Sequence, residues 1–481
     1  MAGRMLWVLL GIMLAMPGFF PEPCPAWADG GHGLRVGQVN TAGHLRRLVA
    51  FRPGIEEGEQ KRVIRESGSL LLKAFPLLNG ALIQLPPDQA ETALDFLYRH
   101  PAVERIEEDV SLGAESQRYP SPTATPGGEG GVQGSLIIPA DPEMLEESEE
   151  DYPWNLWQIY LDQADPRRQG DKVDIAVLDT GIDPTHPDLH KIVARGYNAR
   201  IGEEERDTLD RNGHGTHIAG IIAAKLRKRS HLRGIAPRAK LYPVKVLGDD
   251  GSGYLSDLIN GLNWVYKNRK IRIVNMSLGF STGSELLHRM VRLLHEAGVI
   301  MVASAGNYDT TGASGEGAAG EGAAGEGAAG TGCASGEGAA GEGAAGEGAA
   351  SGGGCLSQEQ VKYPARYPET IAVGATDIEA EVTDYSIRGP EVDLVAPGGD
   401  RQDPVLSINL NKGYGLGSGT SQAAAHVTGL VALLLSVDRT LTPEEIRQIL
   451  QDTALDLGLD WEAQGAGLID AALAIDQVQS K

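Results

Sequence analysis

The stretch that most constrains the fold of this chain is a run of small residues around one serine, at residues 417–426 (GSGTSQAAAH), followed by the apolar residues 429–435. Small residues permit a tight turn, and the apolar run predicts a buried helix that opens at Ser421. Free backbone N–H groups and the positive end of the helix dipole stabilise negative charge at such a terminus. Glycine-serine turns are also common structural features. Ser421 is therefore a candidate nucleophile only if a base and an orienting acid lie elsewhere.

Two further stretches supply such partners. Residues 173–178 (VDIAVL) are typical of a strand buried on both faces, and Asp179 follows at the carboxyl end, where α/β sheets build their sites. Residues 212–217 (NGHGTH) place His214 at the start of a second helix of small residues. The chain thus carries an acid, a base and a nucleophile in the order Asp179, His214, Ser421.

These stretches resemble the three catalytic motifs of the subtilases, the subtilisin-like serine proteases, in the forms DTGID, NGHGTHIAG and GTSQAAAH. The resemblance covers about residues 155–475, except for one insertion. It implies a serine endopeptidase that acts on polypeptides through a triad of Asp179, His214 and Ser421 and requires no cofactor. It also implies an oxyanion hole made by the Ser421 N–H and the side-chain amide of Asn307, in the motif ASAGN at residues 303–307.

The resemblance further implies how a substrate binds. Two glycine-containing segments resemble those between which an extended peptide adds as a strand in the family, and glycines there admit a close backbone approach. Each segment taken alone reads as a loop. The residues concerned are Gly251, Ser252, Gly253, Ser277, Leu278 and Gly279.

Lys362 departs from the family in a way that predicts specificity. It aligns with the floor of the pocket for the side chain before the scissile bond, where the family often has glycine before Tyr-Pro. A cation there attracts an acidic side chain. Counting on from the acidic segment that ends at Asp109 places the expected propeptide cut at about Glu115. We therefore hypothesise a preference for Glu or Asp before the cut, with a solvent-facing Lys362 as the alternative.

The order of elements predicts the fold class. From residue 173 onward strands and helices alternate, which is typical of an α/β fold, a parallel sheet with helices on both faces, here of the subtilisin-like kind. Before it, residues 45–112 give the order β-α-β-β-α-β of a small α+β, ferredoxin-like unit. Its position and topology resemble the subtilase propeptide, a folding chaperone and inhibitor, whereas the alternative is an independent binding domain.

These patterns give four segments, namely a signal peptide (1–28), a propeptide (29–115), an acidic Pro- and Gly-rich linker (116–152) and a catalytic domain (153–481). The linker composition offers no means of forming a core. The catalytic domain contains Gly-Glu-Ala repeats at about residues 308–358. Two glycines in every five residues disfavour both helix and strand, so a mobile loop is expected. A neutral repeat expansion explains this loop more simply than a binding element does.

The N-terminus predicts export. Arg4 precedes an apolar run, and Ala-Trp-Ala at residues 26–28 is typical of a cleavage site, which predicts a secreted protein without a membrane span after cleavage near Ala28. A retained anchor and a lipidated Cys24 are the alternatives. Cleavage leaves Cys333 and Cys355, an even pair that reads as a disulfide in an exported protein. The formal charge of −23 argues against nucleic acid as a partner, and we expect a monomer.

The remaining departures concern metals and packing. Gln422 stands where the family has Met, and Ala425 where it has Pro, but neither change removes a reacting group. Asp188 matches a family calcium ligand, yet residues 225–230 (KLRKRS), which would complete that site, are basic, so the sequence gives little support for calcium. His214 and His217 are not predicted zinc ligands, because HExxH is absent.

Two other functions compete with proteolysis as interpretations of the motifs. A non-catalytic subtilase-like binding scaffold would normally have lost a member of the triad, and none is lost here. An esterase of the Gly-x-Ser-x-Gly class would carry its acid and histidine after the serine, which this chain does not. The favoured interpretation is a secreted serine endopeptidase made as a zymogen and inhibited by its own propeptide.

Overall fold

The computed structural model describes residues 45–85, 88–116, 137–140, 153–226, 232–308 and 360–480. The expected signal peptide, most of the acidic linker, the Gly-Glu-Ala repeats and the expected Cys333–Cys355 disulfide lie outside these ranges. Those predictions therefore stay predictions.

The N-terminal unit is a four-stranded antiparallel sheet with two helices. Its elements are β1 (Leu45–Phe51), α1 (Glu57–Glu66), β2 (Leu70–Phe75), β3 (Gly80–Leu85), α2 (Ala90–Arg99) and β4 (Val103–Glu108), with strand order β2-β3-β1-β4. Successive side chains of a strand point to opposite faces. Val49 and Phe51 accordingly pack with the two helices, whereas Leu48 and Ala50 join a second apolar cluster shared with the large unit. The observed order is the predicted β-α-β-β-α-β.

The rest of the chain forms the large unit and its connections. Its strands are β5 (Ser111–Ala114), β6 (Ile138–Pro139), β7 (Asp174–Asp179), β8 (Tyr197–Asn198), β9 (Lys240–Lys245), β10 (Ser252–Tyr254), β11 (Ile273–Met276), β12 (Leu278–Gly279), β13 (Ile300–Ser304), β14 (Thr370–Thr376), β15 (Leu394–Pro397), β16 (Val405–Ile408) and β17 (Tyr414–Gly417). Its helices are α3 (Trp154–Gln158), α4 (His214–Ala223), α5 (Leu255–Lys267), α6 (Glu285–Glu296), α7 (Thr420–Val437), α8 (Pro443–Thr453), α9 (Trp461–Gln464) and α10 (Ala471–Gln479).

A seven-stranded parallel sheet of order β15-β14-β13-β11-β7-β9-β8 forms the centre of the large unit. Alternate residues of β7 face different apolar clusters. Ile175 and Val177 lie in the cluster formed with α4, α7, α8 and α10, while Ala176 and Leu178 lie in the cluster formed with α5 and α6. The sheet is therefore covered by helices on both faces, which confirms the predicted α/β fold class.

The long helix α7 is a core element. It has 18 residues and is apolar enough by composition to cross a membrane, but 89% of it is buried inside the protein. Its small residues allow close packing against α4 and the sheet, and its amino end carries Ser421 into the interior.

The N-terminal and large units share a small antiparallel sheet. In it β5 lies between β10 and β12, so that Ser252 pairs with Gly113 and Leu278 with Ala114. The chain leaving the N-terminal unit thus adds as a strand between the two segments that the sequence predicted for substrate binding.

One short segment within the expected linker pairs with the large unit. Ile138–Pro139 forms β6, which pairs antiparallel with β17, and Ile137 is buried. The average composition of residues 116–152 is polar, but Ile137 is apolar and is stabilised by burial, and the edge of β17 accepts a strand.

Two features of the large unit are not evident from the alternation of strands and helices. β15 and the β16–β17 hairpin follow β14 with no α-helix between them. The last helix starts at Ala471, because the Asp470 carboxylate accepts a hydrogen bond from the Leu473 N–H at 2.8 Å and thereby caps the helix.

Candidate active site

The fold brings Asp179, His214 and Ser421 to one place. Asp179 is the last residue of the interior strand β7, His214 is the first residue of α4, and Ser421 is the second residue of α7. All three side chains are fully buried. Because α4 and α7 pack against each other over the sheet, their amino ends meet beside the carboxyl end of β7.

The acid and the base form a tight pair. His214 Nδ1 lies 2.8 Å from Asp179 Oδ1 and 2.9 Å from Oδ2, and the Thr180 N–H donates to Oδ1 at 2.7 Å. A side chain at residue 215 would collide with this arrangement, since a Cβ on Gly215 would lie 2.1 Å from the Gly181 oxygen. A proton on Nδ1, directed to the carboxylate, leaves Nε2 as the basic atom.

Asp210 is a positioning residue that sequence reasoning missed. Its Oδ2 accepts from the Thr216 N–H at 2.9 Å and from the Thr216 hydroxyl at 2.7 Å, while Oδ1 accepts from the Gly213 N–H and the Thr180 hydroxyl, both at 2.9 Å. These bonds tie the start of α4 to the end of β7. The available signal was an aspartate just before a helix start, the usual place of a cap.

The nucleophile candidate contacts the chain that leaves the N-terminal unit. The Ser421 N–H donates to the Glu115 carbonyl oxygen at 2.9 Å, and the Ser421 hydroxyl donates to the Ser277 carbonyl at 3.0 Å. His214 Nε2 lies 2.9 Å from the Ser116 hydroxyl. Among the described residues no hydrogen bond joins Ser421 to His214 in this arrangement. The peptide bond between Glu115 and Ser116 therefore lies between the nucleophile candidate and the base candidate.

The predicted substrate segments bind the same stretch of chain. The Ala114 N–H donates to the Gly251 oxygen and the Glu115 N–H to the Ser277 oxygen, both at 3.2 Å, in addition to the pairing of Ser252 and Leu278 with β5. Main-chain bonds of this kind hold an extended peptide irrespective of most side chains.

Asn307 lies beside the Glu115 carbonyl. Its Oδ1 accepts from the Thr420 N–H and hydroxyl, both at 3.0 Å, which fixes the amide and directs Nδ2 away from Thr420. Among the described residues, Nδ2 is buried and has no hydrogen-bond partner. A Cβ added to Gly419 would lie 2.7 Å from the Glu115 oxygen and 3.2 Å from Asn307 Nδ2, so the two groups flank the same small space. The structure thus leaves one buried donor near the carbonyl that the Ser421 N–H already binds.

Lys362 contacts the Glu115 side chain. Its Nζ lies 3.0 Å from Oε1 and 3.2 Å from Oε2, and the Asn307 N–H donates to Oε2 at 3.0 Å. Only 8% of the Glu115 side chain and 21% of the Lys362 side chain are exposed. A partly desolvated carboxylate is therefore paired with one cation and one backbone donor.

Two glycines give this pocket its width. A Cβ on Gly279 would lie 2.8 Å from Glu115 Oε1, and one on Gly306 would lie 2.9 Å from Lys362 Cδ. Gly306 also has φ of +112°, a conformation that other residues rarely adopt. The pocket therefore admits a lysine and a glutamate together because its wall carries no side chain at these two positions.

Asp188, the residue that the sequence matched to a calcium ligand, lies in the described part of the chain. Asp188 Oδ2 accepts a hydrogen bond from the Tyr414 hydroxyl at 2.8 Å. Within the described ranges no group of three His, Cys, Asp or Glu side chains is arranged to hold a metal ion. Part of the basic loop after Leu226 lies outside these ranges.

His217 is a buried structural histidine. Its Nε2 lies 3.2 Å from the Val405 oxygen and 3.1 Å from the Gly415 oxygen, so Nε2 carries a proton and donates. Burial lowers the pKa of His217 to about 3. A neutral His217 links α4 to the β16–β17 hairpin.

The N-terminal unit also caps two helices of the large unit. Asp109 accepts from the Ser256 N–H at the start of α5 at 2.8 Å and pairs with Arg46 at 2.7 Å. Glu107 accepts from the Glu285 N–H at the start of α6 at 3.0 Å. Carboxylates at helix amino ends satisfy free N–H groups and complement the helix dipole. The acidic end of the N-terminal unit therefore holds that unit in place.

Asp257 introduces pH dependence at this interface. Burial is the main cause that raises the pKa of Asp257 to about 7, and the nearby Asp109 raises it further. The Ile201 N–H, which donates to Asp257 Oδ1 at 2.9 Å, acts in the opposite direction and lowers this pKa. The unfolded chain releases this proton near pH 4, whereas the folded chain keeps it until about pH 7. The folded state binds more protons in this window, so its stability falls as pH rises.

We expect Asp257→Asn to remove this loss. Between pH 5 and pH 8.5, the unsubstituted protein should lose about 3 kcal/mol of unfolding free energy relative to the variant. This figure follows from about 1.4 kcal/mol per pKa unit. Urea unfolding of uncut precursors carrying Ser421→Ala measures it, with substitution of the exposed Asp384 by Asn as control. A difference that is constant with pH contradicts the assignment.

Known proteins resemble this chain in sequence and in fold. The sequence profile described as the Subtilase family matches residues 170–467. The chain belongs to the subtilase family. It is 31% identical to Subtilisin E of Bacillus subtilis (strain 168) over 431 residues, which cover 89% of each chain. It is 36% identical over 319 residues to Minor extracellular protease Epr of the same organism, covering 66% of this chain and 40% of that protein.

A solved structure shows the same fold. Fervidolysin from Fervidobacterium pennivorans, described as a keratinolytic enzyme related to subtilisin, superposes with a TM-score of 0.65 at 22% identity, covering 92% of this chain and 62% of that one. At this identity the likeness concerns the fold alone. Family membership makes the chain a subtilisin-type serine endopeptidase, and subtilases act on polypeptides.

Proposed function

We propose that this subtilase is a secreted endopeptidase, made as a zymogen, that cuts itself between Glu115 and Ser116 and prefers Glu or Asp before the scissile bond. The observation that carries the proposal is the position of that peptide bond. The Glu115 carbonyl accepts from the Ser421 N–H at 2.9 Å, and the residue after the bond contacts His214 at 2.9 Å.

The proposed chemistry assigns one role to each side chain. Ser421 turns its hydroxyl from the Ser277 carbonyl toward His214 Nε2, loses its proton to that nitrogen and attacks the carbonyl carbon of Glu115. Asp179 fixes the imidazole through Nδ1 and stabilises the positive charge that His214 acquires. The negative oxygen is stabilised by the Ser421 N–H and by the buried Nδ2 of Asn307. His214 then protonates the Ser116 nitrogen as the bond breaks, and water releases Glu115 from Ser421.

The zymogen proposal rests on the contacts of residues 45–116. The N-terminal unit caps α5 and α6, and β5 occupies the place between β10 and β12 where a substrate would pair. After the cut, the same contacts would keep this segment bound as an inhibitor, the role implied by the family propeptide. Export is supported by the N-terminal pattern and by the extracellular protease among the relatives. We further propose that the enzyme acts as a monomer without a required cofactor.

The acidic preference rests on the pocket of Lys362. Its ammonium and the Asn307 N–H together bind both carboxylate oxygens of Glu115. An apolar side chain in the same pocket would leave that ammonium without its partner in a partly desolvated place. The pocket therefore disfavours Phe and Leu as well as favouring Glu.

A fluorophosphonate probe tests whether the site is active, as opposed to a silent binding scaffold. The probe reacts with an activated serine, so the mature protein should be labelled at Ser421 and its peptide hydrolysis should stop. Thr428→Val, a substitution elsewhere on α7, serves as the labelling control, whereas Ser421→Ala should show no labelling. A properly folded protein that neither matures nor is labelled would support the scaffold instead.

A further inference from the structure

The residue after the scissile bond makes two contacts through its side chain. The Ser116 hydroxyl lies 2.9 Å from His214 Nε2 and 3.1 Å from Gln422 Oε1. Ser116 is buried, Gln422 is fully buried, and Gln422 follows the nucleophile directly in the chain. These contacts involve a side chain of the leaving group, which the pairing of β5 does not reach.

From these contacts we infer that Gln422 selects a hydroxyl-bearing residue, Ser above all, immediately after the scissile bond. The inference rests on the proposed function and deepens it, since it concerns the side of the cut opposite to Lys362. Together the two residues would make Glu–Ser the preferred bond.

The amide of Gln422 suits both protonation states of His214. For the attack, neutral Nε2 must accept the proton of Ser421, so the single proton of the Ser116 hydroxyl goes to Gln422 Oε1. Once His214 is charged, Nε2 can donate to the hydroxyl oxygen, while the hydroxyl still donates to Oε1. Gln422 Oε1 thus accepts from the hydroxyl in both states. Methionine, the family residue here, offers only a weak acceptor.

Burial makes the contact selective. Among the described residues, Gln422 Nε2 has no hydrogen-bond partner, and a Cβ on Gly417 would lie 2.9 Å from it, so the amide lies in a closed space. Alanine after the cut would leave the whole amide end of Gln422 without a partner. Leaving a buried polar group unsatisfied costs more free energy than an ordinary hydrogen bond contributes. Selectivity therefore arises from the cost of binding alanine as well as from the hydrogen bond made to serine.

Internally quenched peptides that differ only after the cut test the inference. Two peptides with Glu before the bond carry Ser or Ala after it, and kcat/KM is measured for each with the mature enzyme. We expect Ser to exceed Ala by about fivefold, within the range that one neutral hydrogen bond supplies. In Gln422→Met the ratio should fall to about one, whereas substitution of the exposed Gln448 by Met should keep it.

The outcomes separate this inference from the proposed function. Equal kcat/KM for Ser and Ala in the unsubstituted enzyme overturns the selection by Gln422, while cleavage after Glu would still support the proposed function. Absence of cleavage of both peptides by folded mature protein overturns both. An unchanged ratio in Gln422→Met also overturns the inference, and the comparison within the unsubstituted enzyme remains decisive if that variant fails to fold.

Discussion

Replacing Ser421 with alanine is expected to lower kcat for peptide hydrolysis by about 10⁶, the loss known for subtilisin when its own nucleophile is removed. The alanine lacks the oxygen that attacks the carbonyl, while the Ser421 N–H and Asn307 remain. The variant chain should therefore also stay uncut at Glu115–Ser116. Kinetics with a peptide that carries Glu before the cut measure the effect.

The control for this variant is Ser418→Ala, three residues earlier and outside the proposed triad. It should mature and hydrolyse the peptide. Both variants remove one buried hydroxyl. If both lose activity together with folded structure, the substitutions have damaged the fold at the amino end of α7. Retained hydrolysis in well-folded Ser421→Ala would contradict the role of Ser421.

Lys362→Met is expected to lower kcat/KM for peptides with Glu before the cut by roughly 10- to 100-fold. The substitution removes the ammonium that binds both Glu115 carboxylate oxygens, and hydrogen bonds to charged groups contribute about 1.5–3 kcal/mol each. A carboxylate left in a partly desolvated pocket adds to this loss. For peptides with Phe before the cut, kcat/KM should stay or rise, because the apolar side chain no longer faces an unpaired cation.

A matched control is Lys270→Met, which removes an exposed lysine distant from the pocket. It should leave the Glu-to-Phe ratio of kcat/KM as in the unsubstituted enzyme. Reversal of the charge by Lys362→Glu should disfavour Glu further and favour Lys before the cut. Equal losses for Glu and Phe peptides in Lys362→Met would show that Lys362 supports the structure of the pocket rather than its selectivity.

Much of the fold followed from local patterns in the sequence. The strands β7, β11, β13 and β14 are continuous apolar runs between helices, so their burial in a parallel sheet was predictable. The N-terminal unit was predictable from its short apolar strands and from the helical spacing of the apolar residues between them. The strands β15, β16 and β17 were not, because no α-helix lies between β14 and β17, so the alternation of strands and helices does not mark them.

The site was predictable in part. The three motifs predicted Asp179, His214 and Ser421 as the candidate triad. Counting on from Asp109 predicted Glu115 as the residue before the cut, independently of its contact with Lys362. The direction of the Ser421 hydroxyl, the contact of Ser116 with Gln422 and the bonds of Asp210 were not predictable, because they depend on side chains that only tertiary packing brings together. A hydrogen bond between residues 306 positions apart leaves no local pattern.

The most direct measurement is the site of self-cleavage, read as the mass and N-terminal sequence of the mature protein produced by the unsubstituted chain. The account predicts a first cut between Glu115 and Ser116, absent from Ser421→Ala and much slowed by Glu115→Leu. A first cut at another bond in the unsubstituted chain, or the same cut at an undiminished rate in Ser421→Ala, would contradict it.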